Sequence, residues 1–265
     1  MSRIHPTAII EGEVEIGEDV EIGPYTYISG KVKIGRGTRI GPYCVIVGKV
    51  FIGEGNRIHH NASIGQPPQD VNYKGEESEV IIGNNNTIRE FVTIHRATGE
   101  GKATIIGDNN FLMAYVHIAH NCKLGNGITI ANLAQLAGYV EVEDQAFISG
   151  VLGIHQWCRV GAYAMVGGMT RLNQDAPPYF ITAGYEPEVL GLNFVGLRRR
   201  GFSQERMEIL KEAYKTIYRS NLNLEDALKL LEDKFPESED IKHLVRFYRG
   251  SRRGVVMRGG NSTLS

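Results

Sequence analysis

The sequence lacks any apolar run of about 18 residues, so it predicts no membrane-spanning helix. It has no basic stretch followed by an apolar segment near Met1, and we expect no secretory signal. Its three cysteines, Cys44, Cys122 and Cys158, lack the spacing of metal ligands and are odd in number, which fits a reducing compartment, hence the cytoplasm. An excess of one charge is also missing: the net charge of −1 indicates no polyanion-binding tail and hence no nucleic-acid partner.

What the sequence has in abundance is a six-residue repeat. In steps of six from Ile4 to Leu172, 26 of 29 positions are Ile, Leu or Val. A helix repeats every 3.6 residues and cannot keep this phase. The fifth place, which includes all three cysteines, is small or β-branched and faces the same side as the first, while glycine is frequent at the second place, where we expect it to permit a tight bend. The pattern predicts a mainly β fold, a parallel β-solenoid in which three hexads close one coil.

The repeat is interrupted twice without losing its phase, at residues 65–81 and 97–104. These segments predict loops extruded from intact coils, where functional residues tend to lie. After Leu172 the period ends, and the remainder has helical patterns, with Ser203 as the expected N-cap of the first long one. We therefore predict a β-solenoid domain over 1–186 and a helical domain over 187–265. The second domain is basic, which indicates either a solvated face or a surface that steers an acidic partner.

One histidine cluster stands out from the repeat. His117 and His120 lie one residue before and two residues after an inward-facing isoleucine, and the residues 18 and 36 positions after His120 are Gly138 and Gln156. These residues stack about 5 Å apart per coil, with His155 beside them. A histidine next to a glycine with an open N–H can pair a general base with an oxyanion donor, although a polar ladder on the solenoid surface is the alternative. The other histidines of the repeat, expected to be exposed or hydrogen-bonded, are His59, His60 and His95.

Several segments carry a resemblance to a known family: IHPTAI, TIHR, HIAHNC, LAGYVEV, HQWC, QDAPPY and, outside the repeat, GLNFVGLRRRGFS and AYKTIYRS. The sequence resembles the UDP-N-acetylglucosamine O-acyltransferases that begin lipid A synthesis. The resemblance implies a left-handed parallel β-helix with C-terminal helices, assembled as a homotrimer. It implies transfer of an (R)-3-hydroxyacyl chain from the phosphopantetheine of acyl carrier protein to the 3-hydroxyl of UDP-N-acetylglucosamine, with no metal and no cofactor.

The resemblance also assigns roles to individual residues. His120 would be the general base and the Gly138 N–H the oxyanion donor. Gly168 would set the length of the acyl channel, and a glycine there implies longer chains. The residues that would bind the sugar nucleotide and acyl group are Asp70, Asn72, His117, Tyr139, His155 and Gln156, with Asn193 and Arg199 holding the nucleotide phosphates.

Three positions depart from the family pattern. Asn121 stands beside the base where relatives carry Asp, so what orients His120 is left open. Tyr139 replaces a histidine, and Asn72 replaces a lysine in the first loop. A neutral residue at position 72 keeps open a 3-amino UDP-sugar as the acceptor, because a lysine would repel an ammonium group.

Two other classes of protein remain as alternatives. A zinc hydratase of the γ-carbonic anhydrase type uses the same helix and histidines at a subunit interface, but it leaves the helical domain and GLRRRGF unexplained. A non-enzymatic solenoid scaffold leaves the loops and the histidine cluster unexplained. Elemental analysis for bound zinc separates the hydratase from the acyltransferase.

Overall fold

The computed structural model describes residues 2–257; Met1 and residues 258–265 of the predicted helical domain lie outside the described residues. The strands, in chain order, are β1 Arg3–Ile4, β2 Ile9–Ile16, β3 Glu21–Ile22, β4 Tyr27–Ile34, β5 Arg39–Ile40, β6 Val45–Ile52, β7 Arg57–Ile58, β8 Ser63–Gln66, β9 Glu79–Ile82, β10 Thr87–Ile88, β11 Thr93–His95, β12 Ala103–Ile106, β13 Phe111–Leu112, β14 His117–Ile118, β15 Lys123–Leu124, β16 Thr129–Ile130, β17 Gln135–Leu136, β18 Glu141–Val142, β19 Phe147–Ile148, β20 Gly153–Ile154, β21 Arg159–Val160, β22 Met165–Val166, β23 Arg171–Leu172, β24 Phe180–Ala183 and β25 Glu188–Leu192. The helices are α1 Phe194–Arg199, α2 Gln204–Arg219, α3 Leu224–Lys234 and α4 Glu239–Arg249.

The strands stack as a β-helix with three walls, as the repeat predicts. Wall 1 is the sheet β1-β3-β5-β7-β10-β13-β16-β19-β22-β24-β25. Wall 2 contains β8, β11, β14, β17, β20 and β23, and wall 3 contains β9, β12, β15, β18 and β21. The long strands β2, β4 and β6 run along both of these walls and join them into one sheet. Pairing is parallel, one coil to the next, except between β24 and β25. The predicted parallel β-helix is confirmed.

First-place and fifth-place side chains fill the inside of the helix. Ile46, Ile64 and Ile118 are fully buried, and so are the three cysteines, which confirms the expected core positions. Burial of the thiols raises the pKa of Cys122 to about 12, so it stays protonated. Removing this apolar surface from water at every coil provides the main free energy of folding.

The reason given for the second-place glycines is wrong. Gly35 and Gly41 do not have positive φ; instead, a Cβ at Gly35 would lie 2.5 Å from the backbone of Gly53, and one at Gly41 would lie 2.8 Å from the backbone nitrogen of His60. Glycine is required there because the next coil approaches too closely for a side chain. The bend falls at the fourth place, where even Val151 adopts a left-handed φ of 55°.

The chain leaves the walls twice, as the sequence predicts. The first loop, residues 67–78, lies between β8 and β9, and the second loop, residues 96–102, lies between β11 and β12. β6 pairs with both β8 and β9, so the coil beneath the first loop is intact. Both loops lie beside the coil edge that carries His120.

The region after Leu172 is not all helical, in contrast to the expectation from its pattern. β24 continues wall 1 by pairing with β22, and β25 folds back against β24, so the predicted boundary at 186/187 falls inside a hairpin. The helices follow from Phe194, and Ser203 caps α2 as expected, accepting a hydrogen bond from the Arg206 N–H. The two ends of the β-helix differ. At the C-terminal end, α2 packs against β25, whereas at the N-terminal end Ile4 and Ile9 of the first coil are 44% and 54% exposed. Among residues 2–257, no helix has the length and apolar character needed to cross a membrane.

Candidate active site

A cavity of about 500 Å³ lies along wall 2, at the edge where the chain turns towards wall 3. Five of the predicted site residues line it: His117, His120, Gly138, His155 and Gln156. The register of β14, β17 and β20 places their coils directly above one another, which confirms the predicted vertical stack. Further polar lining residues, which sequence reasoning missed, are Gln69, Gln135, Arg171 and Asn173.

The His120 imidazole lies against the backbone of the next coil. A Cβ built at Gly138 would lie 2.5 Å from its Nε2 atom, so the ring can occupy this place only because residue 138 is glycine. No hydrogen-bond acceptor is found for the Gly138 N–H among residues 2–257. His120 is 6% exposed. The site therefore brings a nearly buried imidazole and a free backbone donor together at one cavity wall.

The orientation of His120 is set by Asn121. Its Nδ2 donates to the Thr98 carbonyl at 3.0 Å, and its Oδ1 accepts from the Thr98 N–H at 2.9 Å. Because a carbonyl can only accept and an N–H can only donate, these two bonds fix which end of the amide is oxygen. The His120 Nδ1 lies 2.9 Å from this oxygen and must carry the proton. The lone pair is therefore on Nε2, which faces Gly138 in the wall of the cavity.

The first loop brings a carboxylate close to Nε2 of the imidazole, the ring nitrogen that does not face Asn121. The Asp70 Oδ2 lies 3.9 Å from the His120 Nε2. Asp70 Oδ1 accepts from the backbone N–H of Asn72 at 2.9 Å and from its side-chain amide at 3.2 Å. The Asn72 N–H, with help from other neighbours, lowers the pKa of Asp70, so this carboxylate is ionised at neutral pH. Asn72 thus supports Asp70 within the loop.

His117 is a neutral group in this site. Burial, together with the nearby His95 and His120, lowers its pKa to about 4. Its Nδ1 lies 2.7 Å from the Thr93 hydroxyl. His95 packs edge-on against it, with ring centroids 5.0 Å apart. The expectation for His95 is wrong: this residue is 8% exposed, and its Nδ1 has no hydrogen-bond partner within residues 2–257.

An aromatic pair stands beside the imidazole. Tyr139 makes an edge-on contact with His120, with ring centroids 5.3 Å apart, and stacks on Trp157 at 3.8 Å. Burial raises the pKa of Tyr139, which therefore stays a neutral phenol. Trp157, which the sequence did not single out, is 49% exposed.

The other predicted site residues lie away from this cavity. Gly168 is exposed at the edge between walls 1 and 2, and a Cβ there would meet nothing closer than 3.4 Å. Asn193 and Arg199 line a second cavity of about 440 Å³ that shares no lining residue with the first. Asn193 caps α1, accepting from the Gly196 N–H at 3.2 Å and donating to the Tyr163 carbonyl at 2.9 Å. Within one chain, these two residues are not part of the His120 cavity.

The polar groups around the cavity suit proton transfer. Over the described range, 2–257, no group of three His, Cys, Asp or Glu side chains is arranged to hold a metal ion. His120 presents an Nε2 lone pair, Gly138 an open N–H and Asp70 an ionised carboxylate. This set can accept a proton from a weak nucleophile and stabilise a developing oxyanion.

Comparison with known proteins places the chain in a family. Residues 31–66 and 103–138 match the model of the bacterial transferase hexapeptide, and residues 175–256 match that of domain 2 of UDP-N-acetylglucosamine O-acyltransferase. An acyl-[acyl-carrier-protein]–UDP-N-acetylglucosamine O-acyltransferase from Paraburkholderia phymatum is 47% identical over 97% of this chain and 100% of its own. The chain belongs to the UDP-N-acetylglucosamine O-acyltransferase family.

Solved structures of the UDP-N-acetylglucosamine acyltransferases agree with this assignment. The enzyme from Francisella novicida is 37% identical, with a TM-score of 0.94 over 99% of this chain and 96% of that one. The enzyme from Bacteroides fragilis is 45% identical, with a TM-score of 0.93 over 95% of this chain and 99% of that one. The resemblance noted from the sequence motifs is confirmed, whereas the roles of the individual site residues stay predictions.

Proposed function

We propose that this chain transfers an (R)-3-hydroxyacyl group from acyl carrier protein to the 3-hydroxyl of UDP-N-acetylglucosamine, the first step of lipid A synthesis. The relatives' names as acyl-[acyl-carrier-protein]–UDP-N-acetylglucosamine O-acyltransferases support the reaction class. The observation that carries the proposal is the geometry of His120, whose Nδ1 proton is fixed by Asn121 while Nε2 faces Gly138. A hydroxyl is a poor nucleophile at neutral pH and needs a base so placed.

The proposed reaction proceeds by direct attack. His120 Nε2 removes the proton from the sugar 3-hydroxyl as its oxygen attacks the thioester carbonyl. The carbonyl oxygen becomes an oxyanion, which accepts a hydrogen bond from the Gly138 N–H. As the tetrahedral intermediate collapses, the bond to sulfur breaks, and the pantetheine thiolate takes the proton from the His120 imidazolium. Asp70, 3.9 Å from Nε2, stabilises that imidazolium while it exists.

The remaining contacts of the sugar nucleotide follow from the lining of the cavity. His117, His155 and Gln156 of the lining supply hydrogen-bond groups, as does Tyr139 beside the His120 ring, and His117 acts as a neutral partner because its pKa is about 4. The acyl chain would extend towards Gly168. The donor's phosphopantetheine belongs to the acyl carrier protein and is a substrate, not a resident cofactor.

A homotrimer would complete this site. Asn193 and Arg199 line a separate cavity, so they reach a nucleotide bound near His120 only if they come from a second copy of the chain. Arg199 suits a diphosphate through its paired N–H groups. We predict that sedimentation velocity gives a trimer and that dilution to monomer abolishes acyl transfer. A monodisperse, fully active monomer contradicts this arrangement.

The decisive experiment is an acyl-transfer assay with (R)-3-hydroxyacyl carrier protein. UDP-N-acetylglucosamine, its 3-deoxy analogue and its 3-amino analogue are compared as acceptors. We expect acylation of the hydroxyl sugar and none of the 3-deoxy sugar. Preference for the amine would assign the chain to the other acceptor class. Absence of transfer to every sugar, with zinc bound in elemental analysis, would favour the hydratase.

A further inference from the structure

We propose that Glu76, on the first loop, is a positioning residue that holds His120 in its reactive tautomer through the second loop and Asn121. The proposal rests on the proposed function, because it takes His120 as the base. Glu76 does not line the His120 cavity, and it acts through a chain of hydrogen bonds.

Glu76 ties the two loops together by its side chain. Its Oε1 accepts from the Gly99 N–H of the second loop at 2.8 Å, and its Oε2 accepts from the Lys74 N–H of its own loop at 2.8 Å. Backbone N–H groups at both oxygens lower the pKa of Glu76, with the Lys74 amide as the largest cause. An ionised carboxylate that accepts from backbone donors makes hydrogen bonds roughly twice as strong as neutral ones.

The second loop carries this constraint to the base. Gly99, held by Glu76, follows Thr98, whose N–H and carbonyl fix the Asn121 amide at 2.9 and 3.0 Å. Asn121 in turn holds the Nδ1–H of His120. Gly99 adopts a φ of 100°, a conformation that lets this loop turn at the residue whose N–H donates to Glu76. If the second loop shifts, the Thr98 groups move and the Asn121 amide loses the contacts that define its orientation.

The first loop is itself held in place by hydrogen bonds, so the position of Glu76 is fixed. The Arg96 guanidinium donates to the Tyr73 hydroxyl at 2.8 Å and to the Gly65 carbonyl at 3.1 Å. The Tyr73 hydroxyl donates to the backbone carbonyl of Glu76 at 3.1 Å. The same loop brings Asp70 to the Nε2 side of His120. Both neighbours of the imidazole are thus set by one joined pair of loops.

A neutral amide beside the base makes this support necessary. An aspartate accepts the His120 proton with either oxygen, whereas an asparagine does so with one end and repels it with the other. A rotated Asn121 amide would turn its NH₂ group towards Nδ1 and favour the opposite tautomer. Because residue 121 is an asparagine, control of the tautomer depends on Thr98 and, through the Gly99 contact, on Glu76.

The test is a double-mutant cycle of Glu76→Ala and Asn121→Ala, with Glu76→Gln as a milder variant. The control is Glu77→Ala, because the exposed Glu77 side chain faces Lys31 at 3.7 Å and contacts neither Gly99 nor Lys74. We expect Glu76→Ala to lower kcat about tenfold with little change in the KM for the sugar nucleotide, as a small misplacement of a base does. In the Asn121→Ala background, the same change should cost less than about twofold, because the two residues act in one chain.

A second readout does not depend on activity. Two-bond ¹H–¹⁵N correlation spectra of histidine-labelled protein report which nitrogen of His120 carries the proton. We expect the Nδ1–H form in the wild type and in Glu77→Ala, and a mixture of tautomers in Glu76→Ala and Glu76→Gln. An unchanged tautomer in Glu76→Ala overturns the proposal, and so does an equal loss of kcat in both backgrounds. If the wild type transfers no acyl group, the proposed function fails while this spectrum still tests the positioning.

Discussion

Two edges of the β-helix use the same backbone position in opposite ways. At the edge between walls 3 and 1, third-place N–H groups donate to side chains of the next coil: Asn84 to Asp108 at 2.6 Å, Asp108 to Asn126 at 2.7 Å and Asn126 to Asp144 at 2.7 Å. We call this the ladder edge. At the edge between walls 2 and 3, which we call the base edge, the third place holds His120, Gly138 and Gln156, and the Gly138 N–H finds no such acceptor among residues 2–257.

The comparison shows how the same place in the repeat can either tie two coils together or present groups suited to proton transfer. A side chain that accepts from the coil below satisfies the backbone and ties the coils together. Glycine at this place, as at Gly138, makes room for the His120 ring in the same slot, and the Gly138 N–H stays open because no side chain of the following coil within residues 2–257 accepts from it. Matched substitutions at the two edges therefore test the site, and the expected effects run from the largest to the smallest.

The largest effect is expected from removing the proposed base, His120. His120→Ala should lower turnover by about 10²-fold or more, because the imidazole proposed to take the proton is lost. The matched change on the ladder edge, Asn126→Ala, removes the acceptor of the Asp108 N–H and a long hydrogen bond from the Asn126 amide to Asp144. It should lower Tm by about 2–4 °C, the effect of roughly 1 kcal/mol, and leave turnover unchanged. Acyl-transfer rates and thermal melts of both variants decide this, and near-normal turnover in His120→Ala would mean that another base operates.

A methyl group at the base edge should act almost as strongly. In Gly138→Ala the new Cβ meets the imidazole, so His120 must move and kcat should fall by about 10²-fold. Gly125→Ala is the control, because its Cβ runs into the Asp144 carboxylate on the ladder edge, far from the base. Both variants should melt earlier, but only the first should lose kcat at temperatures where each is folded. Equal kcat values would show that His120 tolerates displacement.

The edge between walls 1 and 2 allows a smaller change, in chain-length preference. Gly168 has space for a side chain, so Gly168→Met should fold and project into the path of the acyl chain. Blocking a few methylene groups should shift the kcat/KM ratio of short to long hydroxyacyl donors by about tenfold. Gly168→Ala is the control and should change this ratio little. A ratio unaffected by Met places the end of the acyl channel elsewhere.

The smallest effect concerns the acceptor. Asn72→Lys adds a positive charge near the sugar, which repels the ammonium of a 3-amino acceptor in a partly solvated site. We expect the preference for the 3-hydroxy over the 3-amino UDP-sugar to rise about threefold, the size of an exposed charge interaction. Lys74→Asn shows whether the neighbouring lysine already fills this role. If Asn72→Lys leaves the preference unchanged while kcat/KM falls for both sugars, its role is the support of Asp70.

The period of six carries almost all the information about the walls. It predicts the stacking of His120, Gly138 and Gln156 and the burial of Cys44, because side-chain direction in a strand follows directly from position. The period does not predict features that depend on contacts between neighbouring coils. The second-place glycines are needed because the next coil approaches closely, and β24 continues wall 1 without the periodic pattern.

The site is less predictable because its geometry comes from the loops. No spacing in the sequence brings Thr98 to Asn121 or Asp70 to His120, since extruded segments obey no period. His95 looked like an ordinary repeat histidine, and its unpartnered Nδ1 emerges only from the packing. Asn193 and Arg199 line a cavity separate from that of His120, and the period of six, which ends at Leu172, does not predict where these two residues lie.

The stacked pair Tyr139 and Trp157 beside His120 also provides an intrinsic spectroscopic probe. Trp157 is the sole tryptophan of the chain, and it lies against Tyr139 one coil above the level of Gly138. Intrinsic emission excited at the red edge of indole absorption therefore arises from a single fluorophore at the rim of the candidate active site. Its quenching or blue shift measures ligand occupancy and local melting at that rim, without a label and without contribution from the helical domain.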